Sequence, residues 1–378
     1  MRLLLSINSL GAGGAERTVV KLAAHWLAQG HAVGVVTQAS RSLDVLTLPV
    51  GVSRFTTDTG GISGHWLRAV VRNLRRVQRL RRVIRDFRPD GVVAFLPTAN
   101  VVAVLACVGL SVPVIAAERM YPAHLGLGWL QRSVRDRAYA RAAAVVVQTT
   151  RSAEWYRRTC LLSNVVVIPN GIALPLVVAE PAVEPSALIP GDRRLVLYVG
   201  RLVPEKQVDQ ALLAFVRALG NDERWTLAVL GDGPLVTGLR DMAGKALPPG
   251  RVVFVPRSGC MAAWYQRADV LLLTSRFEGF PNVLLEAMAH GCVPVAYDCD
   301  TGPAEIVRDG EDGELVPPND VEALAGSLRR LSADADRLAR MAAAATQVLE
   351  RFGDARFFAA WDAVVLSASA GVGQGRDA

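Results

Sequence analysis

Glu278 and Glu286 stand eight positions apart in the run EGFPNVLLEAMAHG, residues 278–291. The run follows the apolar stretch Val270–Thr274, so Glu278–Pro281 falls in a loop at a strand's carboxyl end. A helix beginning near Asn282 would aim free N–H groups at an anion. In that helix's first turns the Glu286 carboxylate can accept hydrogen bonds from two vicinal hydroxyls, as on a ribose. Glu278 can accept from the hydroxyls of a sugar ring. The plainer reading makes Glu286 a solvated helix residue and Glu278 a cap. A second constellation is Gly200-Arg201-Leu202 with Glu205-Lys206. Arg201 and Lys206, five apart where a strand ends and a helix starts, can converge on a diphosphate; a solvated pair is the alternative. The third is GAGGAER, residues 11–17, a glycine loop between a strand and a helix. Its glycines let a ligand approach the backbone of a helix N-terminus. They fall at 11, 13 and 14, which is not G-x-G-x-x-G, and Thr37-Gln38-Ala39 stand where a ribose-binding acid would follow. A dinucleotide site is therefore not expected, and a tight turn remains the alternative.

These loops need strands to carry them. Arg2–Ile7, Val33–Thr37, Val92–Leu96, Val112–Ala116, Val145–Val147 and Val165–Ile168 read as short buried strands, with a helix over about 15–29 and a long one from Trp66 to about Phe87. Continuous Val/Leu/Ile runs of this length fit a parallel sheet covered on both faces. Residues 173–193 hold Pro175, Pro181, Pro185, Pro190 and Gly191 and read as a linker. Strands then resume at Leu195–Val199, Thr226–Leu230, Val252–Val255, Val270–Leu273 and Val293–Tyr297, with helices near 205–219, 234–246, 260–267, 282–290 and 319–331. The expected organisation is an α/β chain of two doubly wound domains facing a central cleft, the ligand at the strands' carboxyl ends. Its bounds are 1–172, a linker 173–193, 194–356, and a C-terminal helix at 357–378 that packs back towards the first domain and ends in a loose tail.

The 378 residues are 51% apolar and 20% charged, which excludes a disordered or collagen-like chain. The net charge of +7 hides an asymmetry. Residues 1–175 hold 22 basic and 8 acidic side chains; the rest hold 20 and 27. The first half therefore suits an anionic partner. Five scattered cysteines without a C-x-x-C pair argue against a disulfide framework or zinc site and suit a reducing cytosol. The N-terminal apolar run is too short for a signal peptide. The apolar stretch Val92–Ala117 is long enough to span a bilayer, but Pro97, Asn100 and Pro113 divide it into strand-sized and helix-sized pieces.

The combination GGAER, GRL with EK at 205–206, Glu278 with Glu286, and Thr301-Gly302-Pro303-Ala304-Glu305-Ile306 resembles glycosyltransferase family 4, of GT-B fold. The resemblance runs from Leu3 to about Leu331. Ala117-Glu118-Arg119, Val146-Val147-Gln148-Thr149 and Ile168-Pro169-Asn170 are similar to the branch that builds bacterial lipid-linked oligosaccharides and surface polysaccharides. The resemblance implies retaining transfer of a hexose or N-acetylhexosamine from a nucleotide diphosphate sugar, UDP-linked by preference, to a lipid-linked saccharide, with no metal or other cofactor. It implies that Glu286 holds the ribose and Glu278 the donor sugar. Arg201 and Lys206 would neutralise the leaving diphosphate, with Gly13, Gly14 and Gly200 near it. Backbone N–H groups of Phe280, Asn282 and Val283 would face phosphate or sugar oxygens, and Arg257 lies where the base-binding loop is expected. Glu118, Arg119 and His124 fall on the acceptor side, His124 being the nearest candidate for the family's histidine. Gln207 stands where glycine is common, and Met120-Tyr121 where Asn is. Asp298-Cys299-Asp300 spells D-x-D, a carboxylate pair able to ligate a divalent ion in another fold. Here it occupies a position where this family commonly has D-C-x, and no metal is expected.

Nine arginines fall between Arg68 and Arg88, interleaved with apolar residues at helical spacing. One face of this helix suits the core. The other, with Arg72, Arg75, Arg76, Arg79 and Arg82, suits either solvent or an anionic membrane. Arg132, Arg135, Arg137 and Arg141 would extend the patch, and Trp129 and Leu130 could insert shallowly. The expected place is the inner face of the cell membrane. Alternatives are a sugar-nucleotide epimerase or hydrolase of the same fold, or a nucleic-acid binder, for which no recognised module is present.

Overall fold

The computed structural model describes residues 1–60 and 66–373. In chain order the elements are β1 (Arg2–Ile7), α1 (Gly14–Ala28), β2 (Ala32–Thr37), β3 (Ser53–Thr56), α2 (Trp66–Phe87), β4 (Gly91–Phe95), α3 (Pro97–Cys107), β5 (Val114–Ala117), α4 (Trp129–Tyr139), β6 (Ala144–Val147), α5 (Thr150–Thr159) and β7 (Val165–Val167). The second series is β8 (Arg194–Val199), α6 (Val208–Leu219), β9 (Trp225–Leu230), α7 (Val236–Ala246), β10 (Val252–Val255), α8 (Met261–Arg267), β11 (Val270–Leu273), α9 (Asn282–Ala289), β12 (Val293–Tyr297), α10 (Pro303–Ile306), β13 (Glu314–Val316), α11 (Val321–Ala333), α12 (Ala335–Ala345), α13 (Val348–Phe352) and α14 (Asp354–Gly373).

The chain divides into two compact units, Met1–Pro169 with the segment from Phe357, and Asn170–Arg356. The first holds a seven-stranded sheet in the order β3-β2-β1-β4-β5-β6-β7. The second holds a six-stranded sheet in the order β10-β9-β8-β11-β12-β13. Every pairing in both is parallel. Each sheet has apolar clusters on its two faces, which is why its central strands are apolar at successive positions. In each unit the strand order reverses once, between β1 and β4 and between β8 and β11. Loops leaving the carboxyl ends at such a reversal diverge and open a crevice.

Two strands escaped the sequence pattern. β3 is a half-buried edge strand of mixed polarity, and β13 has three residues. The Val92–Ala117 run resolves into β4, α3 and β5, and no described helix is long and apolar enough to cross a membrane. Residues 173–193, read as a linker, belong to the second unit. The Val183 carbonyl accepts from Trp264 Nε1 at 2.7 Å and Ser258 Oγ at 2.9 Å, and Ile189 is buried in the core. Helix α14 buries Phe357, Trp361 and Val365 in the first unit. Residues 374–378 of the expected loose tail lie outside the described residues. All five cysteines are free thiols.

Candidate active site

In the second unit, the loops after β8 and β11 carry the residues that the spacing singled out. Lys206 Nζ donates to Glu278 Oε1 at 2.5 Å, and Ser275 Oγ donates to the same oxygen at 2.6 Å. Ser275 is buried, and the lysine and glutamate side chains are 21% and 11% exposed. A pair this far withdrawn from water is less screened than a surface ion pair. The backbone is stitched as well. Thr274 Oγ1 donates to the carbonyls of Lys206 and Gln207 at 3.0 and 2.9 Å, Arg276 N to Glu205 O at 2.8 Å, and Thr301 Oγ1 to Glu278 O at 2.5 Å.

Two glycines make this close approach possible. Gly302 has φ +100°, and a Cβ there would stand 2.6 Å from Pro281 Cδ. Gly231 has φ +148°, and a Cβ there would stand 1.8 Å from the Gly200 carbonyl oxygen. Gln207 is the converse. It adopts φ 46° and ψ 46°, the left-handed region that glycine enters freely. It delays the start of α6, which sequence spacing placed near 205, and its Nε2 donates to Asn319 Oδ1 at 2.7 Å.

Helix α9 starts at Asn282, next to Glu278. Its N-cap is Pro281, which supplies no side-chain cap to the positive end of the helix. Asn170 Nδ2 donates to Asn282 Oδ1 at 2.6 Å and to Phe280 O at 3.4 Å, tying the loop to the start of the unit. Phe280 buries its ring in the core, so only its backbone is available to a ligand. Val283 and Glu286 are half-buried. Tyr265 Oη donates to Glu286 Oε2 at 2.8 Å. Arg201, after Gly200, and Arg257, after β10, are exposed. The second unit thus brings Lys206, Ser275 and Glu278 together, with Arg201 exposed after β8 and Glu286 held by Tyr265, groups whose chemistry can meet an anion and hydroxyls. Sequence reading missed the braces Ser275, Thr301, Asn170 and Tyr265. The last two pair across 112 and 21 residues, beyond any local pattern.

In the first unit, Gly13 ends the loop after β1 and Gly14 opens α1, both exposed, beside the β1/β4 reversal. Gly13 caps α1 without a side-chain bond, and Glu16 folds back over it: an added Cβ would lie 2.5 Å from Glu16 Oε2. Glu118 corrects the sequence reading. It is 1% exposed, not an acceptor contact. Its carboxylate accepts from Tyr139 Oη at 2.9 Å, Tyr156 Oη at 3.3 Å and Arg119 N at 3.0 Å. Burial pushes the Glu118 carboxyl up from its ordinary pKa, outweighing these bonds. Burial also raises both tyrosines and lowers Arg119 to about 10. Arg119 Nη2 donates to Thr18 Oγ1 at 3.1 Å, whose hydroxyl donates to Gly14 O at 3.0 Å. Arg119 therefore braces the glycine loop from beneath. His124 is exposed, beside the Tyr121 ring.

On α2, Arg75, Arg79 and Arg82 are exposed while Arg72 and Arg76 are half-buried. Arg76 Nε donates to Thr59 O at 3.2 Å. The side chains of Leu67, Arg68 and Val70 lie outside the described residues. Arg132, Arg137 and Arg141 are exposed, but Arg135 leaves the expected patch. It is 2% exposed, paired with Asp136 and set over Trp155 and Tyr156. Trp129 and Leu130 are 80% and 59% exposed, and Leu74 58%. Asp298 and Asp300 flank the buried Cys299. Among the described residues no group of three or more His, Cys, Asp or Glu is placed to hold a metal.

Comparison with known proteins accords with this layout. Residues 12–174 match the model described as Glycosyltransferase Family 4, and residues 180–348 match Glycosyl transferases group 1. Half of the chain is 40% identical to an exopolysaccharide phosphotransferase of Streptomyces coelicolor, of which the match spans only 20%. Over 87% of the chain and 88% of the relative, it is 28% identical to a GalNAc-alpha-(1->4)-GalNAc-alpha-(1->3)-diNAcBac-PP-undecaprenol alpha-1,4-N-acetyl-D-galactosaminyltransferase of Campylobacter jejuni. The fold matches that of Anabaena HepE, solved in complex with UDP, at a TM-score of 0.80 and 19% identity, over 97% of this chain and 100% of that one. The architecture is GT-B, and the chain belongs to the family 4 glycosyltransferases, with a group 1 domain as its second half.

Proposed function

We propose that the protein transfers a hexose or N-acetylhexosamine, with retention, from a UDP-sugar to a lipid-linked saccharide in bacterial surface glycan synthesis. The observation that carries the donor side is the Lys206–Glu278–Ser275 cluster beside the α9 N-terminus. Breaking the anomeric bond builds negative charge on the departing diphosphate, and fixed positive groups there supply the largest rate term. Arg201, Lys206 and the helix N-terminus are that charge. Glu278 faces the donor sugar, Glu286 the ribose, and main-chain groups near Arg257 the base. The leaving phosphate takes the acceptor proton in a front-face displacement. Because protein cations meet the diphosphate, no metal is assigned, and a chelator should leave the rate unchanged. The Campylobacter relative's named undecaprenol-linked acceptor supports the choice of acceptor.

The first unit docks on an anionic membrane surface in this reading. Exposed Leu74 with Arg75 and Arg82 on α2, and exposed Trp129 and Leu130 with Arg132 on α4, each combine apolar and basic side chains in the way an interfacial surface does. The deciding experiment incubates the protein with a panel of UDP- and GDP-sugars, with and without a polyprenyl-diphosphate saccharide. Acceptor-dependent release of UDP is expected. Free sugar or an epimerised nucleotide without acceptor would replace transfer by the hydrolase or epimerase reading. Co-sedimentation with phosphatidylglycerol vesicles at low salt, lost in the Trp129→Ala/Leu130→Ala variant, tests docking.

A further inference from the structure

We propose that Tyr265 fixes Glu286 in the one orientation that reads a vicinal ribose diol, making it a positioning residue for nucleotide discrimination. The inference rests on the donor reading above. Tyr265 lies on α8, fully buried, and its hydroxyl reaches across to α9 to donate to Glu286 Oε2 at 2.8 Å. A glutamate in the second turn of a short helix has three rotatable bonds before its carboxylate. Anchoring one oxygen sets the plane of the group, so it meets two adjacent hydroxyls already aligned.

The tyrosine is itself held from the other side. The His290 ring stacks on Tyr265 with centroids 5.9 Å apart and planes 29° apart. His290 Nδ1 lies 2.7 Å from the Glu286 carbonyl, which can only accept, so Nδ1 carries a proton. The three residues form a loop of contacts: the tyrosine hydroxyl on the glutamate, the imidazole on the tyrosine, and the glutamate's own carbonyl on the imidazole. Core packing alone would be met by phenylalanine. The hydroxyl's direction at Glu286 points to a part in recognition.

The test compares dissociation constants of UDP and 2′,3′-dideoxy-UDP, by titration calorimetry, for wild type, Tyr265→Phe, Glu286→Gln and the double variant. Wild type should favour UDP about tenfold or more, the scale of a hydrogen-bonded recognition lost. Tyr265→Phe should shrink that preference severalfold through weaker UDP binding alone, with dideoxy-UDP unaffected. Added to Glu286→Gln, it should cost nothing further. Equal weakening of both nucleotides, or an unchanged preference, would overturn the role. An unchanged preference in Glu286→Gln, or a wild type that binds neither nucleotide, would bring down the donor reading and the tyrosine's role with it. A clear effect of Glu286→Gln with none of Tyr265→Phe sinks the tyrosine's role alone. Should Tyr265→Phe fail to fold, His290→Ala, which leaves the tyrosine hydroxyl in place but removes its clamp, takes its position with the same two readings.

Discussion

The two units share a plan and differ in how they finish it. In both, a loop at the carboxyl end of a central strand meets the point where strand order reverses. In the second unit that loop is crossed by side chains at every turn: Lys206 and Ser275 on Glu278, Thr274 and Thr301 on the backbone, Asn170 on Asn282, Tyr265 on Glu286. In the first, Gly13 and Gly14 are exposed, and their support comes from beneath, through Arg119 and Thr18. The polar network of the first unit, around Glu118, lies in its interior. Preorganisation is therefore built into the surface of one unit and into the foundation of the other. Charge placed before the reaction needs no rearrangement as the bond breaks, whereas a glycine loop can adapt to what arrives.

The sharpest way to break this contrast is Lys206→Ala. Ser275 still holds Glu278, so the loop should survive while the diphosphate loses its fixed cation. Turnover should fall by roughly 10²–10³, the usual loss for one preorganised charge-stabilising group. UDP affinity should change far less. Steady-state kinetics beside calorimetry reads both, and equal losses would show that Lys206 binds the donor without favouring the transition state. Gly302→Ala attacks the same loop through its backbone. A side chain at φ +100° with Cβ 2.6 Å from Pro281 forces strain or movement, at a cost of about 1–3 kcal/mol. Urea unfolding should show that loss together with weaker UDP binding. Full UDP affinity would mean that the donor loop does not need its brace.

How far these differences were legible follows the range of each signal. Alternating strands and helices were readable because central parallel strands are apolar at consecutive positions. β3 was not, being half-buried on an edge with three polar residues among four. Glu278, Glu286 and Lys206 stood out because their types and short spacing after strands suggest a task, and the structure joins Lys206 to Glu278 and holds Glu286 through Tyr265. Tyr265 and Asn170 were hidden because their partners are remote in the chain. Glu118-Arg119 misled for the opposite reason. A charged pair just after a strand has the look of a site, and only the tertiary arrival of Tyr139 and Tyr156 turns Glu118 into an interior strut.

That strut gives a weaker, pH-dependent test on the first unit. The folded pKa of Glu118 is raised, mainly by burial. Folding is then favoured when the group is protonated. Its contribution is fully present below the unfolded value, about 4.3, and is lost as pH rises through the folded one. Gln can keep accepting from the tyrosines but cannot ionise. Glu118→Gln should therefore gain stability over wild type as pH is raised from about 4 to 8, measured by urea unfolding, with UDP affinity untouched. A stability difference that stays flat with pH would deny the raised value. A changed UDP affinity would extend the interior network's influence to donor binding.

The smallest effect is expected where the second unit departs from its own logic. Gln207 accepts a left-handed backbone, φ 46°, where glycine would meet no steric penalty. The strain costs about 1 kcal/mol. The Gln207–Asn319 hydrogen bond, 2.7 Å and on the surface, returns part of it. Gln207→Gly exchanges one for the other and also loosens the unfolded chain. The net shift should stay within about 1 kcal/mol, and kcat should hold, because Thr274 grips the carbonyls of Lys206 and Gln207 whatever the side chain. Glutamine is then a tolerated occupant of a glycine position. A large fall in kcat with stability intact would instead make the Gln207–Asn319 contact part of what aims Lys206.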